Sequence, residues 1–140
     1  MIGPFQGQYR WLSNFWMTPV YLDGVKYPSV EHAYQAAKSL DPEYRLKIKN
    51  CPTPGQAKRV GRTAKLRKDW EFVKINMMLG LVKEKFETND ELRAKLLATG
   101  KDEIVEINHW GDTFWGVDNA KGGGKNHLGQ ILMTVRDMLA

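Results

Sequence analysis

Helix-start signals punctuate this chain, and they constrain its fold more than any other feature. Ser29, Thr53-Pro54, Asp69 and Thr88 each stand ahead of a stretch with helical character. Their side-chain oxygens can accept from N–H groups that a first helical turn leaves without partners. A proline directly after the cap is tolerated, because its missing N–H would be unpaired there anyway. The spacing therefore predicts a helix over about 30–40 and a second from Pro54 that carries Lys58, Arg59, Arg62 and Lys65. A third follows Asp69 with Phe72, Ile75, Leu79, Val82 and Phe86 at helical intervals, and a fourth runs from a Thr88/Glu91 capping box to a stop at Gly100. Leu128, Ile131, Leu132, Val135 and Leu139 give a closing amphipathic helix. Strand signals are fewer. Val20-Tyr21-Leu22 and Val25-Lys26-Tyr27 flank Asp23-Gly24, a pair suited to a two-residue hairpin turn, and Ile104–Ile107 is a short strand candidate. The pattern predicts an α+β fold, mostly helical, with a short N-terminal hairpin and few strands.

A length of 140 residues without repeats, low-complexity tracts or linkers predicts one domain over 1–140. Lys and Arg number 21 against 16 Asp and Glu, a net charge of +5 that favours anionic partners. A single cysteine, Cys51, excludes a disulfide framework, and His32, His109 and His127 are too dispersed for a helical zinc pair. No metal is therefore expected. No apolar run approaches the ~20 residues of a membrane span, and Met1–Arg10 has no signal-like core. These features predict a cytoplasmic protein with no membrane partner, and they imply no oligomeric state.

Three constellations could carry chemistry. On the helix after Ser29, Val30, Ala33, Tyr34, Ala37 and Leu40 share a face that should pack on the core, while Glu31, Gln35 and Lys38 form a polar stripe beside Tyr34. That stripe either faces water, supported by i,i+4 pairing, or lines a pocket with acceptor and donor groups. Glu31 falls in the first turn, where the helix dipole favours negative charge, so it suits a nucleophile, a water-activating base or an electrostatic stabiliser. The loop Asn108–Lys125 holds Trp110, Asp112, Phe114, Trp115 and Asp118 before Gly122-Gly123-Gly124. Its indoles either stack on a base or sugar face or anchor the core. Its glycines either let backbone amides reach an anion at a helix start or form a flexible turn. Lastly, Lys58, Arg62 and Lys65 share a predicted basic face that could hold a phosphate, track a nucleic-acid backbone or simply face water.

The segments Leu12-Ser13-Asn14-Phe15, Glu31-His32-Ala33-Tyr34-Gln35-Ala36-Ala37-Lys38, Leu66–Glu71, Asp112-Thr113-Phe114-Trp115-Gly116 and Gly124-Lys125-Asn126-His127-Leu128-Gly129 occur in that order. Together they resemble the YbiA-like, or NADAR, family of N-glycosidases from about Leu12 to the C-terminus. The resemblance implies hydrolysis of an N-glycosidic bond between ribose and a base or amine, with no metal or redox cofactor. Its members are associated with phosphorylated ribosylamino-pyrimidine intermediates of riboflavin synthesis and with ADP-ribose, including ADP-ribose on guanine. Carried over residue by residue, it makes Glu31 the carboxylate that stabilises oxocarbenium charge and Asp112 the second acid, with Trp115 packing on base or sugar. Asn14, Phe15, Tyr34, Gln35, Lys38, Trp110, Gly124 and Asn126 would bind substrate. Three classes stay open at this point: a small-molecule ribose-phosphate N-glycosidase, a glycohydrolase acting on ADP-ribosylated guanine in nucleic acid, and a nucleotide-binding module without turnover.

Overall fold

The computed structural model describes residues 1–140, an α+β chain that is mostly helical, as the capping pattern predicts. Its residues group into two compact units, Asn14–Lys85 and Met1–Ser13 with Phe86–Ala140. No helix is long and apolar enough to cross a membrane.

In the unit Asn14–Lys85, strands β1 (Met17–Leu22) and β2 (Val25–Ser29) form the antiparallel hairpin. Asp23 and Gly24 turn it with φ of 50° and 79°, the left-handed pair that matches strand twist. Val20, Leu22 and Tyr27 face inward and are buried. Ser29 then caps α1 (Val30–Ala37), accepting from the His32 N–H. The helix stops short of the expected Leu40, which is 64% exposed and no part of the core. Pro42 is the reason: a proline disfavours helical backbone in the residue before it, and Asp41 is extended there. Asp41 instead caps a helix the periodicity did not reveal, α2 (Pro42–Lys49), whose only buried residue is Ile48.

Thr53 caps α3 (Pro54–Gly61) as predicted, but Lys65 lies beyond the helix, so Lys58, Arg62 and Lys65 do not share one helical face. With only Ala57 and Gly61 buried, little apolar burial is there to propagate the helix, and the Thr63 hydroxyl donates to the Val60 carbonyl (2.7 Å). Helix α4 (Trp70–Thr88) buries Trp70, Met78, Leu81, Val82 and Phe86. Phe72, predicted to be a core position, is 89% exposed. Two residues after Trp70 it lies about 200° round the helix, on the face opposite the Trp70 ring that packs 5.2 Å from Tyr34.

The other unit contains a 3-10 helix (Gly7–Leu12), whose Trp11 meets Phe86 edge-on at 6.1 Å. Helix α5 (Asp90–Ala98) is capped by Asn89 rather than Thr88, which is still the last residue of α4. Gly100 ends that stretch with φ 64°. The expected strand over 104–107 is broken up: Ile104 bridges Ile2, and only Ile107–Asn108 (β3) pairs in parallel with Val117–Asp118 (β4). Between them the Glu106 N–H donates to the Asn126 side chain (2.9 Å), which takes it out of any ladder. Helix α6 (His127–Leu139) buries the predicted stripe of Leu128, Ile131, Leu132, Val135 and Leu139.

Candidate active site

Helix α1 is buried on every side: all residues from Val30 to Ala37 are inside, polar ones included. The reading of Glu31, Gln35 and Lys38 as a solvated stripe is thereby overturned for Glu31 (7% exposed) and Gln35 (4%). Burying polar groups is costly unless they find partners, and this helix supplies them. The Glu31 N–H donates to the Asn14 carbonyl (3.1 Å). Gln35 Nε2 donates to Glu31 Oε1 (3.1 Å), fixing the carboxylate one turn along its own helix. The Tyr44 hydroxyl donates to the Gln35 carbonyl (2.8 Å). His32 is fully buried, with Nε2 2.9 Å from the Cys51 carbonyl and Nδ1 2.7 Å from Ser29 Oγ. Since a carbonyl only accepts, Nε2 carries the proton and Nδ1 accepts from the serine hydroxyl. Burial pushes the His32 pKa down, partly offset by the bond to Cys51, which keeps the ring neutral beside Glu31.

Gly61 lets this arrangement close. A Cβ there would lie 1.9 Å from Gln35 Oε1, so only glycine allows α3 to approach the amide that orients Glu31. Around the same amide and carboxylate the unit gathers positive charge. Burial lowers the Lys38 pKa most; Glu31 raises it, and the like charges of Lys58, Arg62 and Lys74 lower it further. The Lys38 Nζ stands 5.9 Å from the Tyr34 ring centre, and the Lys58 Nζ 5.9 Å from that of Phe15. Phe15 is 43% exposed and Asn14 is buried with its Nδ2 3.4 Å from Met78 Sδ. Asn14, Phe15, Glu31, Tyr34, Gln35 and Lys38 thus belong to one unit, Asn14–Lys85. Ser29, His32, Tyr44, Gly61 and Lys74, which sequence reasoning did not assign to a site, join them. Only Ser29 carried a signal, as a helix cap.

Trp110, Asp112, Trp115, Gly124 and Asn126 belong to the other unit. Trp110 is exposed and Trp115 half-buried, so neither is a core anchor. Asp112 Oδ1 accepts from the N–H groups of Phe114 (3.1 Å) and Trp115 (2.9 Å), pinning the turn that carries both rings. Asn108, buried, braces the same turn: its Nδ2 donates to the Asp112 carbonyl (2.8 Å) and its Oδ1 accepts from the Asp112 N–H (3.1 Å). Asp118 is held below the usual carboxylate range chiefly by the Lys121 N–H and also by those of Ala120 and Gly111. The Phe114 ring lies 4.8 Å from Trp115 and 4.5 Å from His127, forming one aromatic cluster.

The start of α6 does not offer its amides to an anion. The N–H groups of Lys125, Asn126, His127 and Leu128 donate to the carbonyls of Thr113, Gly116, Phe114 and Trp115. Gly124, with φ 157°, makes that docking feasible, because a Cβ there would fall 2.2 Å from the Gly116 oxygen. Asn126 is similarly committed: its Oδ1 accepts from the Glu106 N–H and its Nδ2 donates to the Ile104 carbonyl (3.0 Å). The glycine run therefore seats the Trp115 turn on the helix, correcting its reading as an anion cradle.

Known proteins match this chain along nearly its whole length. The model of the NADAR domain family matches residues 3–140. The N-glycosidase YbiA of Escherichia coli (strain K12) is 45% identical over 130 residues, covering 91% of this chain and 80% of that protein. A riboflavin biosynthesis protein of Vibrio vulnificus is 40% identical over 130 residues, which make up 35% of its length. The NMR structure of E. coli YbiA superposes with a TM-score of 0.86 at 41% identity, covering 99% of this chain and 82% of the other.

Proposed function

The chain belongs to the NADAR domain family and is an N-glycosidase acting on a small-molecule glycosyl substrate; we propose that this substrate is a ribose phosphate of the ribosylamino-pyrimidine kind and that Glu31 is its catalytic carboxylate. The observation that carries the assignment is the burial of Glu31 in the first turn of α1, with Gln35 donating to Oε1 and Lys38 close by. A carboxylate fixed in that way is pre-organised for positive charge that develops only in the transition state.

In the proposed reaction the bond between C1′ and nitrogen breaks and oxocarbenium character builds on the ribose. Glu31 stabilises that charge while a water oxygen bonds to C1′. One proton of the water ends on the departing nitrogen, leaving the free sugar phosphate and the amine. Gln35 holds the carboxylate in place, and Lys38 supplies a cation for the phosphorylated sugar. Phe15 and Tyr34 present ring surface to sugar or base. Asp112 enters as the group that fixes the Trp115 turn, and its role as a second acid is a proposal resting on family resemblance. The Vibrio relative's name supports a riboflavin-pathway substrate.

The test is Glu31→Gln, which keeps shape and hydrogen-bonding capacity while removing the charge. Release of ribose phosphate from a ribosylamino-pyrimidine phosphate should fall by at least about two orders of magnitude, the scale of one positioned catalytic group. Unchanged far-UV circular dichroism would accompany the loss. Turnover near that of the parent chain would refute the assignment.

A further inference from the structure

We propose that the stretch joining α3 to α4 is a docking surface for an anionic phospholipid bilayer, with Leu66, Phe72 and Ile75 entering the headgroup boundary and Arg62, Lys65 and Lys68 meeting the lipid phosphates.

The first observation is where the charge sits. Residues 58–74 hold seven of the 21 Lys and Arg but only two of the 16 carboxylates, Asp69 and Glu71, which leaves 14 of each sign in the rest of the chain. The whole net charge of +5 therefore belongs to this one stretch, and a field so concentrated attracts an anionic surface. Both carboxylates of the stretch are already engaged. Asp69 accepts two bonds from the Arg67 guanidinium (2.6 and 3.1 Å), and Glu71 pairs with Lys74 (2.7 Å). Arg62, Lys65 and Lys68 are exposed and have no carboxylate partner, so their charge is available to an outside anion.

The second observation is apolar. Phe72 is 89% exposed, Leu66 52% and Ile75 39%. The Trp70 ring packs 5.2 Å from Tyr34, and at about 100° per residue Phe72 stands on the opposite side of α4, turned away from the core of its unit. Ile75, three residues on, projects within about 60° of Phe72 and about one turn further along. A turn brings Leu66 to the same end of the helix. The Trp70 N–H donates to the Arg67 carbonyl (3.1 Å), bending the chain at Lys68 and Asp69, and the Phe72 N–H donates to the Asp69 carbonyl (2.9 Å), so α4 starts directly out of that bend. The Arg67 N–H donates to the Lys38 carbonyl (2.7 Å) and seats the turn on the body of the unit. Apolar and cationic side chains thus alternate along a short stretch that backbone bonds hold in place.

The apolar members decide which anion fits. Single-stranded nucleic acid is gripped by aromatic rings on which successive bases stack, and a duplex by cations along its backbone. Neither has a use for exposed leucine and isoleucine. A bilayer surface takes both kinds of side chain, because basic groups are drawn to anionic headgroups while apolar groups beside them enter the acyl boundary. An anchor of this kind lies on a bilayer and needs no spanning helix.

The experiment is co-sedimentation of the whole chain with vesicles of equimolar phosphatidylserine and phosphatidylcholine, against vesicles of phosphatidylcholine alone. The parent chain should bind the anionic vesicles, less so as salt is raised, and should not sediment with the neutral ones. Lys65→Gln/Lys68→Gln should weaken partitioning roughly 25-fold, about fivefold for each cation near the surface. Phe72→Ser should weaken it about tenfold or more, the scale of one apolar side chain returned to water, and Phe72→Trp should retain it. Turnover of a small-molecule N-glycoside should hold in all three variants, which shows that they fold. Equal binding to both kinds of vesicle, no binding to either, or parent-like binding by Phe72→Ser would overturn the proposal. So would binding of duplex DNA that depends on Lys65 and Lys68 but not on Phe72, without uptake by anionic vesicles, which would assign the patch to nucleic acid.

Discussion

Gly61→Ala is the smallest change that reaches the Glu31 carboxylate without touching it. The added methyl would stand 1.9 Å from Gln35 Oε1, 2.6 Å from Cδ and 3.2 Å from Cγ. Gln35 is only 4% exposed, so its amide has little room to retreat. If it moves, the 3.1 Å bond from Nε2 to Glu31 Oε1 goes with it. Replacing glycine by alanine gains up to about 1 kcal/mol of helix propensity, less at a last-turn position such as this. Against that stand about 1–3 kcal/mol of overpacking and about 1.5–3 kcal/mol for a hydrogen bond to a charged group. The balance is a loss of roughly 3 kcal/mol. With a urea slope of about 1–3 kcal/mol per molar, the midpoint should fall by at least about 1 M. Turnover should drop as well, by about tenfold or more, because Glu31 loses its orienting donor. A double-mutant cycle identifies the cause. Gln35→Ala frees the space the new methyl needs, so Gly61→Ala should cost almost nothing in stability when made in that background. Additive losses, or a single variant at least as stable and active as the parent, would refute the steric argument.

Two further changes probe groups outside the proposed chemistry. Lys85 is fully buried and its pKa is pushed down to about 7 by desolvation. The unfolded chain, with an ordinary lysine near 10.5, therefore binds more protons than the fold between about pH 7 and 10, and stability rises with pH there, by a few kcal/mol at most. Urea midpoints at pH 7 and 9 should show that rise in the parent chain and a flatter response in Lys85→Met; equal slopes would contradict it. Asn126→Ala removes the bonds to Glu106 and Ile104 and should cost about 2 kcal/mol of stability. Loss of turnover with an unchanged urea midpoint would instead make Asn126 a substrate contact.

What the sequence made legible was local. The Asp23-Gly24 turn, the Ser29 and Thr53 caps and the stripe of α6 are each decided by a few neighbouring residues, and the structure reproduces them. The α2 helix was hidden because Asp41-Pro42 starts it without any apolar stripe behind the signal. Phe72 misled for the opposite reason, because a helical interval marks a face but does not say which face has a partner. At the candidate site the same limit acts on charge. Glu31, Gln35 and Lys38 could be placed on one stripe, yet nothing local says that α2, α3 and β2 will bury α1 on all sides.

The glycine run before α6 shows why site chemistry needs this tertiary information. Glycines ahead of a helix create unpartnered amides, and an anion is one way to satisfy them. Another is a carbonyl-rich turn brought back against the same helix start, and Asp112 and Asn108 hold the Thr113–Gly116 segment so that its carbonyls serve. Both outcomes satisfy the same backbone donors, so local sequence cannot separate them. Once those donors are taken, a phosphorylated substrate must find its counter-charge in side chains. In the proposed site Lys38 brings that charge, one turn beyond the Gln35 that holds Glu31. In the proposed site the phosphate contact and the charge that meets the oxocarbenium ion come from different groups, so a change at Lys38 should register mainly in KM and one at Glu31 in kcat.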